Sequence, residues 1–292
     1  MSNKNISFFL DSGCFSADSQ GIPVVLEDYI AFIKEHEDLI DIYPCLDVIG
    51  KAEETWKNQR IMEEHGLTPM PVFHVEDDIK YLYQCLEYDY FCLGGMAGGA
   101  SAKTRSSFLD KCFGIICDTP DGTPKCKVHG FGLASPSLMT AYPFYSVDTS
   151  SWVSYAQYGI ILLPQRNKLG IPDYRKTPIK IFVTERSPKM QVEGTHYKNL
   201  SNAEKKAVVD YIESRGFQMG SSELFEVAES YELKENELFI NKEKTLAERV
   251  ISAGICNNNS LRYSYTLSYF NAIAESCPEW PWSWTPRINN WF

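Results

Sequence analysis

The stretch ISFFLDSGCFS (Ile6–Ser16) is a short apolar run that stops abruptly at Asp11, Ser12 and Gly13. A run of this length, bounded by turn residues, reads as a buried strand that carries a carboxylate at its tip. The residues after the run separate two architectures. A doubly wound dinucleotide-binding sheet places a G-x-G-x-x-G fingerprint after its first strand, and this chain has none there.

Working outward, strand and helix signals alternate through the first 165 residues. LEDYIAFIKEHE (Leu26–Glu37) puts Leu26, Tyr29, Ile30 and Ile33 on one helical face. DIYPCLD (Asp41–Asp47) reads as a strand, and AEETWKNQRIMEEHG (Ala52–Gly66) as a helix stopped by its glycine. MPVFHV (Met70–Val75) is the next strand, followed by a helix from Asp77 to Glu87. YDYFCLGG (Tyr88–Gly95) is a strand ending in glycines, with a helix from about Ser101 to Cys117 behind it. KCKVHGFG (Lys125–Gly132) and FYSVDTSS (Phe144–Ser151) supply two more strands around a short helix, Pro136–Ala141, and GIILLP and IKIFVT extend the beat. This alternation predicts parallel pairing with right-handed crossovers, and six to eight such units suit a (β/α)₈ barrel. Beyond about Asn199 the next 60 residues read as largely helical, opening with a cap at Ser201 and Glu204 three residues later. The expectation is one domain over residues 1–292, with residues from about 200 to 292 as a helical part completing the barrel.

The composition is that of a soluble globular protein: 23% charged and 44% hydrophobic residues. There is no stretch of membrane-spanning length and no export signal at the N-terminus. Nine scattered cysteines, several in apolar runs, read as reduced thiols, so the expected location is the cytoplasm. A formal net charge of −10 argues against a nucleic-acid grip spread over the whole surface but leaves room for a local basic face. Arg166 with Lys168, and Arg175 with Lys176, are among the basic pairs.

In such barrels chemistry sits at the C-terminal ends of the strands. There the chain places Asp11-Ser12-Gly13, Asp47, His74, Gly94-Gly95, His129-Gly130 and Asp148. Singly, an Asp after a strand is more often a cap or turn residue. Together they form a candidate mouth.

DSGCFS, GGMAGG, HGFGLASP and YSVDTSSW, in that order over about the first 150 residues, resemble the motifs of the tRNA-guanine transglycosylase superfamily. They are most similar to its phage and bacterial branch, which inserts 7-deazaguanines into DNA. The resemblance implies Asp148 as the nucleophile on the sugar C1′, with Asp11 as the second carboxylate, which handles protons. It implies that Asp47 accepts hydrogen bonds from the guanine N1–H and 2-amino group, and that Gly95 brings a backbone N–H to O6. Met96 stands where the family exposes a carbonyl toward the 7-substituent, and Phe15 and Phe131 where the ring is sandwiched. His74 occupies a position where the family commonly has glutamine. Ser12, Gly94, His129 and Gly130 complete the implied base pocket.

The chain also departs from the tRNA-acting members. No Cys-x-Cys-x-x-Cys follows Asp148, and asparagines in ICNNNSLRYSYTLSYFNAIAES (Ile255–Ser276) stand where a zinc-binding histidine would be. A barrel lacking the zinc subdomain favours DNA over tRNA and leaves the oligomeric state open. Cys112, Cys117, Cys126 and His129 are an alternative zinc set, but two of these cysteines are five residues apart on one predicted helix and face apart. GGMAGGASAKT lacks the turn glycine of a phosphate loop. Trp280, Trp282, Trp284 and Trp291 either stack on unpaired bases or close the fold, and the second is favoured. The resulting expectation is a DNA-guanine transglycosylase that uses a free 7-deazaguanine base of the preQ0 type and neither metal nor organic cofactor. The rivals are a zinc-less tRNA enzyme, a base-excising hydrolase and a non-catalytic subunit of the same fold.

Overall fold

Each short apolar run between turn signals forms a strand segment, because its backbone groups can be satisfied only by a neighbour when both faces are covered. The computed structural model describes residues 7–14, 21–22, 24–96, 101–186, 196–228 and 230–286. They fall into two compact units, one built from Met1–Ala134, Ala141–Thr149 and Pro278–Phe292, the other from Ser135–Thr140 and Ser150–Cys277.

The first unit holds helices α1 (Leu26–Glu35), α2 (Ala52–Glu64), α3 (Ile79–Cys85) and α4 (Ala102–Ile116). Its sheet contains β1 (Val72–His74), β2 (Tyr90–Gly94), β3 (Lys127–Gly130) and β4 (Ser146–Val147), paired in chain order and all parallel. Parallel bridges between Phe9 and Ile42 and between Pro44 and Met70 continue this ladder toward the N-terminus. Six parallel segments thus succeed one another without a reversal of order. Their register aligns the tips: His74 faces Gly94, Leu93 faces Gly130, and Gly130 faces Val147. The strands are buried along nearly their whole length, which is why their sequences show no alternation. Helix α1 buries Tyr29, Ile30 and Ile33 against Cys45, Leu46, Met62, Met70, Val72 and Cys92.

The C-terminal tryptophans that lie among the described residues support the same unit. Trp284 is buried against Phe113 and Tyr142, and its backbone N–H donates to Gly122 O at 2.9 Å. Trp280 donates from Nε1 to Pro143 O at 3.1 Å. Their role here is packing; Trp291 lies outside the described residues.

The second unit departs from the expected beat. It contains α5 (Pro136–Met139), α6 (Ser151–Gln157), β5 (Ile160–Leu163), β6 (Gln165–Arg166), β7 (Pro172–Asp173) and β8 (Ile179–Phe182). GIILLP and IKIFVT become β5 and β8, which pair antiparallel with each other. Between them β6 and β7 form an antiparallel hairpin. Next comes α7 (Asn202–Ser214), whose predicted cap is a full capping box between Ser201 and Glu204. The region after it is not largely helical: β9 (Ser221–Glu226), β10 (Glu237–Phe239) and β11 (Leu246–Ser252) form an antiparallel sheet in the order β10-β11-β9. Helix α8 (Asn259–Ser276) closes the unit, with Tyr265 packed in a core with Ile161, Leu163, Val208, Ile212 and Ile255. Among the described residues no helix is long and apolar enough to cross a membrane.

Candidate active site

The strand tips of the first unit gather most of the predicted residues. Asp11 follows the Phe9 segment, and its neighbours are Ser12 and Asp47: the Ser12 hydroxyl donates to Asp47 Oδ1 at 2.9 Å. Asp47 Oδ2 lies 3.0 Å from His74 Nε2 at the end of β1. The Cys14 thiol donates to the Asp47 carbonyl at 2.7 Å, fixing the Asp11–Cys14 turn against the Asp47 loop. Both Asp47 oxygens are therefore oriented by protein donors, yet each carboxylate oxygen keeps a further acceptor position.

His74 is buried between two carboxylates. Its backbone N–H donates to Asp77 Oδ2 at 2.8 Å, and Asp77 Oδ2 lies 3.7 Å from Nδ1. Burial pushes the imidazole toward neutrality, but the hydrogen bond to Asp47 and the nearby negative charges of Asp47 and Asp77 outweigh it and raise its pKa to about 9. At neutral pH His74 is an imidazolium. Gly94 makes this possible: a Cβ there would sit 2.6 Å from His74 Cδ2.

At the other end of the ladder, Asp148 follows β4. Its backbone N–H donates to Gly130 O at 3.2 Å, and its Oδ1 accepts from the Gly132 N–H at 2.8 Å. The side chain is 54% exposed, and His129 Nε2 lies 3.4 Å from Oδ1. His129 Nδ1 meets Ser146 Oγ at 2.6 Å, which in turn meets Tyr90 OH at 2.6 Å. The chain is satisfied when Tyr90 donates to Ser146 and Ser146 donates to Nδ1, which leaves Nε2–H directed at Asp148. The imidazole is stacked on Phe9 at 4.5 Å and meets Phe131 edge-on at 4.8 Å.

The Asp11 carboxyl feels the other two acids. Asp11 is an exposed residue, yet desolvation raises its carboxyl above the usual range; the Gly13 N–H opposes this, and the negative charges of Asp148 and Asp47 add to it. The charge of Asp148, at the other end of the strand series, thus reaches Asp11.

Gly95 has φ +80°, a conformation glycine adopts without strain, and a Cβ would press on Val75 Cγ2 at 2.9 Å. A Cβ on Gly130 would stand 2.9 Å from the Phe144 ring. Met96 is fully buried, and its carbonyl is not free: Arg105 Nη1 donates to it at 3.1 Å. Phe15 lies outside the described residues. Cys112, Cys117 and Cys126 are free, buried thiols whose pKa values burial raises, which matches inert packing.

Sequence reasoning missed Ser146, Tyr90, Asp77, Gly132 and Arg105. Signals existed for three of them. Ser146 opens β4 two residues before Asp148, Asp77 is three after His74, and Gly132 closes HGFG. Tyr90 and Arg105 reach the site only through tertiary packing. A cleft of about 500 Å³ lined by Trp56, Arg60, Lys80 and Tyr81 lies between α2 and α3, and no strand-tip residue lines it. No protein-family model matches the chain, and none of the curated proteins matches it.

Proposed function

We propose that this chain is a base-exchanging pentosyltransferase that replaces guanine in DNA with a free 7-deazaguanine. The observation that carries the reading is the set of Asp11, Asp47 and Asp148 at the ends of the first, second and last segments of one parallel series, with the charges of Asp47 and Asp148 acting on Asp11. Their environments differ, and two acids held in different environments take different proton tasks. Half-exposed Asp148, fixed by Gly132 N–H, suits attack on C1′ of a flipped nucleotide. Asp11, with its raised carboxyl, suits proton transfer.

In the first step an Asp148 oxygen forms a bond to C1′ as the C1′–N9 bond breaks, and Asp11 gives its proton to the departing guanine. In the second, Asp11 takes the N9 proton of the incoming base, N9 bonds to C1′, and Asp148 leaves. Two displacements give net retention. Asp47, oriented by Ser12 and His74, has acceptor capacity left for N1–H and the 2-amino group, which adenine could not satisfy. Arg105 on the Met96 carbonyl supports a 7-substituent that is neutral and accepts hydrogen bonds, such as a nitrile, over an aminomethyl cation. Six parallel segments in unreversed order support a (β/α)₈-type scaffold.

The test is mass spectrometry of nucleosides from DNA co-expressed with the protein and a preQ0 supply. A deazaguanine deoxynucleoside is expected with the natural chain and none with Asp148→Ala. Its absence with folded protein, or full activity in Asp148→Ala, overturns the reading. Free guanine without incorporation points to hydrolysis instead.

A further inference from the structure

The hairpin of β6 and β7 in the second unit carries an apolar tip that stands exposed among the described residues. Leu169 is 82% exposed and Ile171 54% exposed. The tip is nevertheless held firmly. Asn167 Oδ1 accepts from the backbone N–H groups of Leu169 (2.9 Å) and Ile171 (3.0 Å), and Asn167 N–H donates to Ile171 O at 2.9 Å. Gly170 turns the chain with φ +78°, and its carbonyl accepts from Arg166 Nη1 at 2.5 Å. A leucine at the end of so constrained a turn is presented outward at little further entropic cost.

The charge around this tip is opposite to that of the chain. From Gln165 to Lys180 there are five cations (Arg166, Lys168, Arg175, Lys176, Lys180) and one anion, Asp173, a local net charge of +4 in a chain of net −10. Asp173 is buried and occupied by Arg175 at 2.9 Å. Lys168, beside Leu169, makes no ion pair with a described residue. A rigid apolar tip ringed by cations matches a polyanion that also offers an apolar slot. Duplex DNA with a base turned out has both, phosphates along the groove and a vacated stack that an aliphatic wedge fills. An anionic membrane matches less well, because two aliphatic side chains bury too little area to hold a surface.

We propose that the hairpin Gln165–Asp173 is a DNA wedge, with Leu169 entering the base stack while Lys168, Lys176 and their neighbours contact phosphates. This rests on the reading that the chain acts on a base within DNA. The experiment uses full-length protein and a duplex with 2-aminopurine beside a guanine, following anisotropy and 2-aminopurine fluorescence. Lys168→Ala/Lys176→Ala is expected to reduce the slope of log K against log salt by about 2, one unit for each phosphate no longer neutralised. Leu169→Ala is expected to leave affinity nearly unchanged while removing at least about half of the fluorescence rise that marks unstacking, and Leu169→Phe to restore it. All three positions are exposed, and circular dichroism confirms the fold of each variant.

Unchanged slope and fluorescence in these variants overturn the wedge, while guanine exchange by the natural chain keeps the transglycosylase. Hairpin-dependent binding and unstacking without base exchange keep the wedge and remove the transglycosylase. Hairpin-dependent binding to phosphatidylserine vesicles with no DNA binding overturns the wedge in favour of a membrane surface.

Discussion

Both units bury ionisable side chains, and they treat them differently. In the second, Glu237 accepts from Arg249 Nε (2.8 Å), Tyr231 OH (2.7 Å) and the Lys234 N–H (3.1 Å). Arg262 gives its donors to the carbonyls of Ala156 and Ile255, both at 2.8 Å, and to Asn259. Asn257 donates to Ser221, Ser222 and Ser252 and accepts from Gly254. These are closed networks that hold loops to strands. In the first unit the buried groups point toward carboxylates with capacity left over, one buried (Asp47) and one half-exposed (Asp148). His129 keeps Nε2 for half-exposed Asp148, and Asp47 is oriented but has acceptor positions to spare. Burial of charge alone identifies no site. Unused valence beside an accessible acid does.

That contrast breaks most sharply in a crossed pair of variants. Asp148→Asn is expected to cost base exchange at least about 10³-fold, because the nucleophile is gone. It should shift stability by only about 0.5 kcal/mol, since the side chain is half exposed and an amide oxygen can still accept from Gly132. Arg249→Ala should do the reverse: it strips Glu237 of its counter-ion, lowers the Tm by several degrees and leaves exchange per folded molecule unchanged. Thermal melts and exchange of labelled guanine measure both. Arg249→Ala abolishing exchange at full stability would mean that the second unit's network is catalytic.

A second contrast lies on the pH axis. His74 has a raised folded pKa, so its contribution is complete below the unfolded value of about 6.5 and is lost as pH rises through about 9. The loss is at most about 3 kcal/mol. Glu237 is the opposite case. Burial alone would raise it, but the Lys234 N–H, Tyr231 and Arg249 hold its carboxyl down at about 2. Its contribution is present above about 4.5 and is lost as pH falls through about 2. The first unit should therefore weaken toward alkaline pH and the second toward acid. NMR of the His74 ring should give a midpoint near 9, and His74→Gln should flatten the alkaline limb alone. A midpoint near 6.5, the ordinary histidine value, would show that His74 is not held between two carboxylates.

The same contrast explains what could be read in advance. In the first unit, strands Val72–His74, Tyr90–Gly94 and Lys127–Gly130 are buried at nearly every position, so the first two appear as compact runs rich in apolar residues ending at their tips, and the third is marked by its tip residues His129 and Gly130. The order of the tips along the chain is also their order in the ladder, which made His74, Gly94, Gly130 and Asp148 legible together. In the second unit, β9 (SSELFE) is exposed or half-exposed at every position, and nothing in its pattern distinguishes it from a polar helix. β5 and β8 do read as strands, but apolar content carries no direction, and the turn residues Asn167–Gly170 were the available sign of a hairpin. Contacts made at a distance, such as Arg105 on Met96, have no local signature at all.

The smallest effect concerns the one feature of the second unit that was legible in detail. Ser201 Oγ accepts from the Glu204 N–H at 3.3 Å, and Glu204 Oε2 accepts from the Ser201 N–H at 2.8 Å. These bonds satisfy two donors that the start of α7 would otherwise leave open. Ser201→Ala removes one of them and should cost about 1 kcal/mol. Water can replace a partner at this exposed position, so a much larger loss is not expected. Base exchange should not change, because the cap touches none of the strand-tip acids. Urea denaturation reads the difference as a lower midpoint at constant m. A fall in exchange with Ser201→Ala, at matched folded fraction, would show that the second unit does more than provide a scaffold.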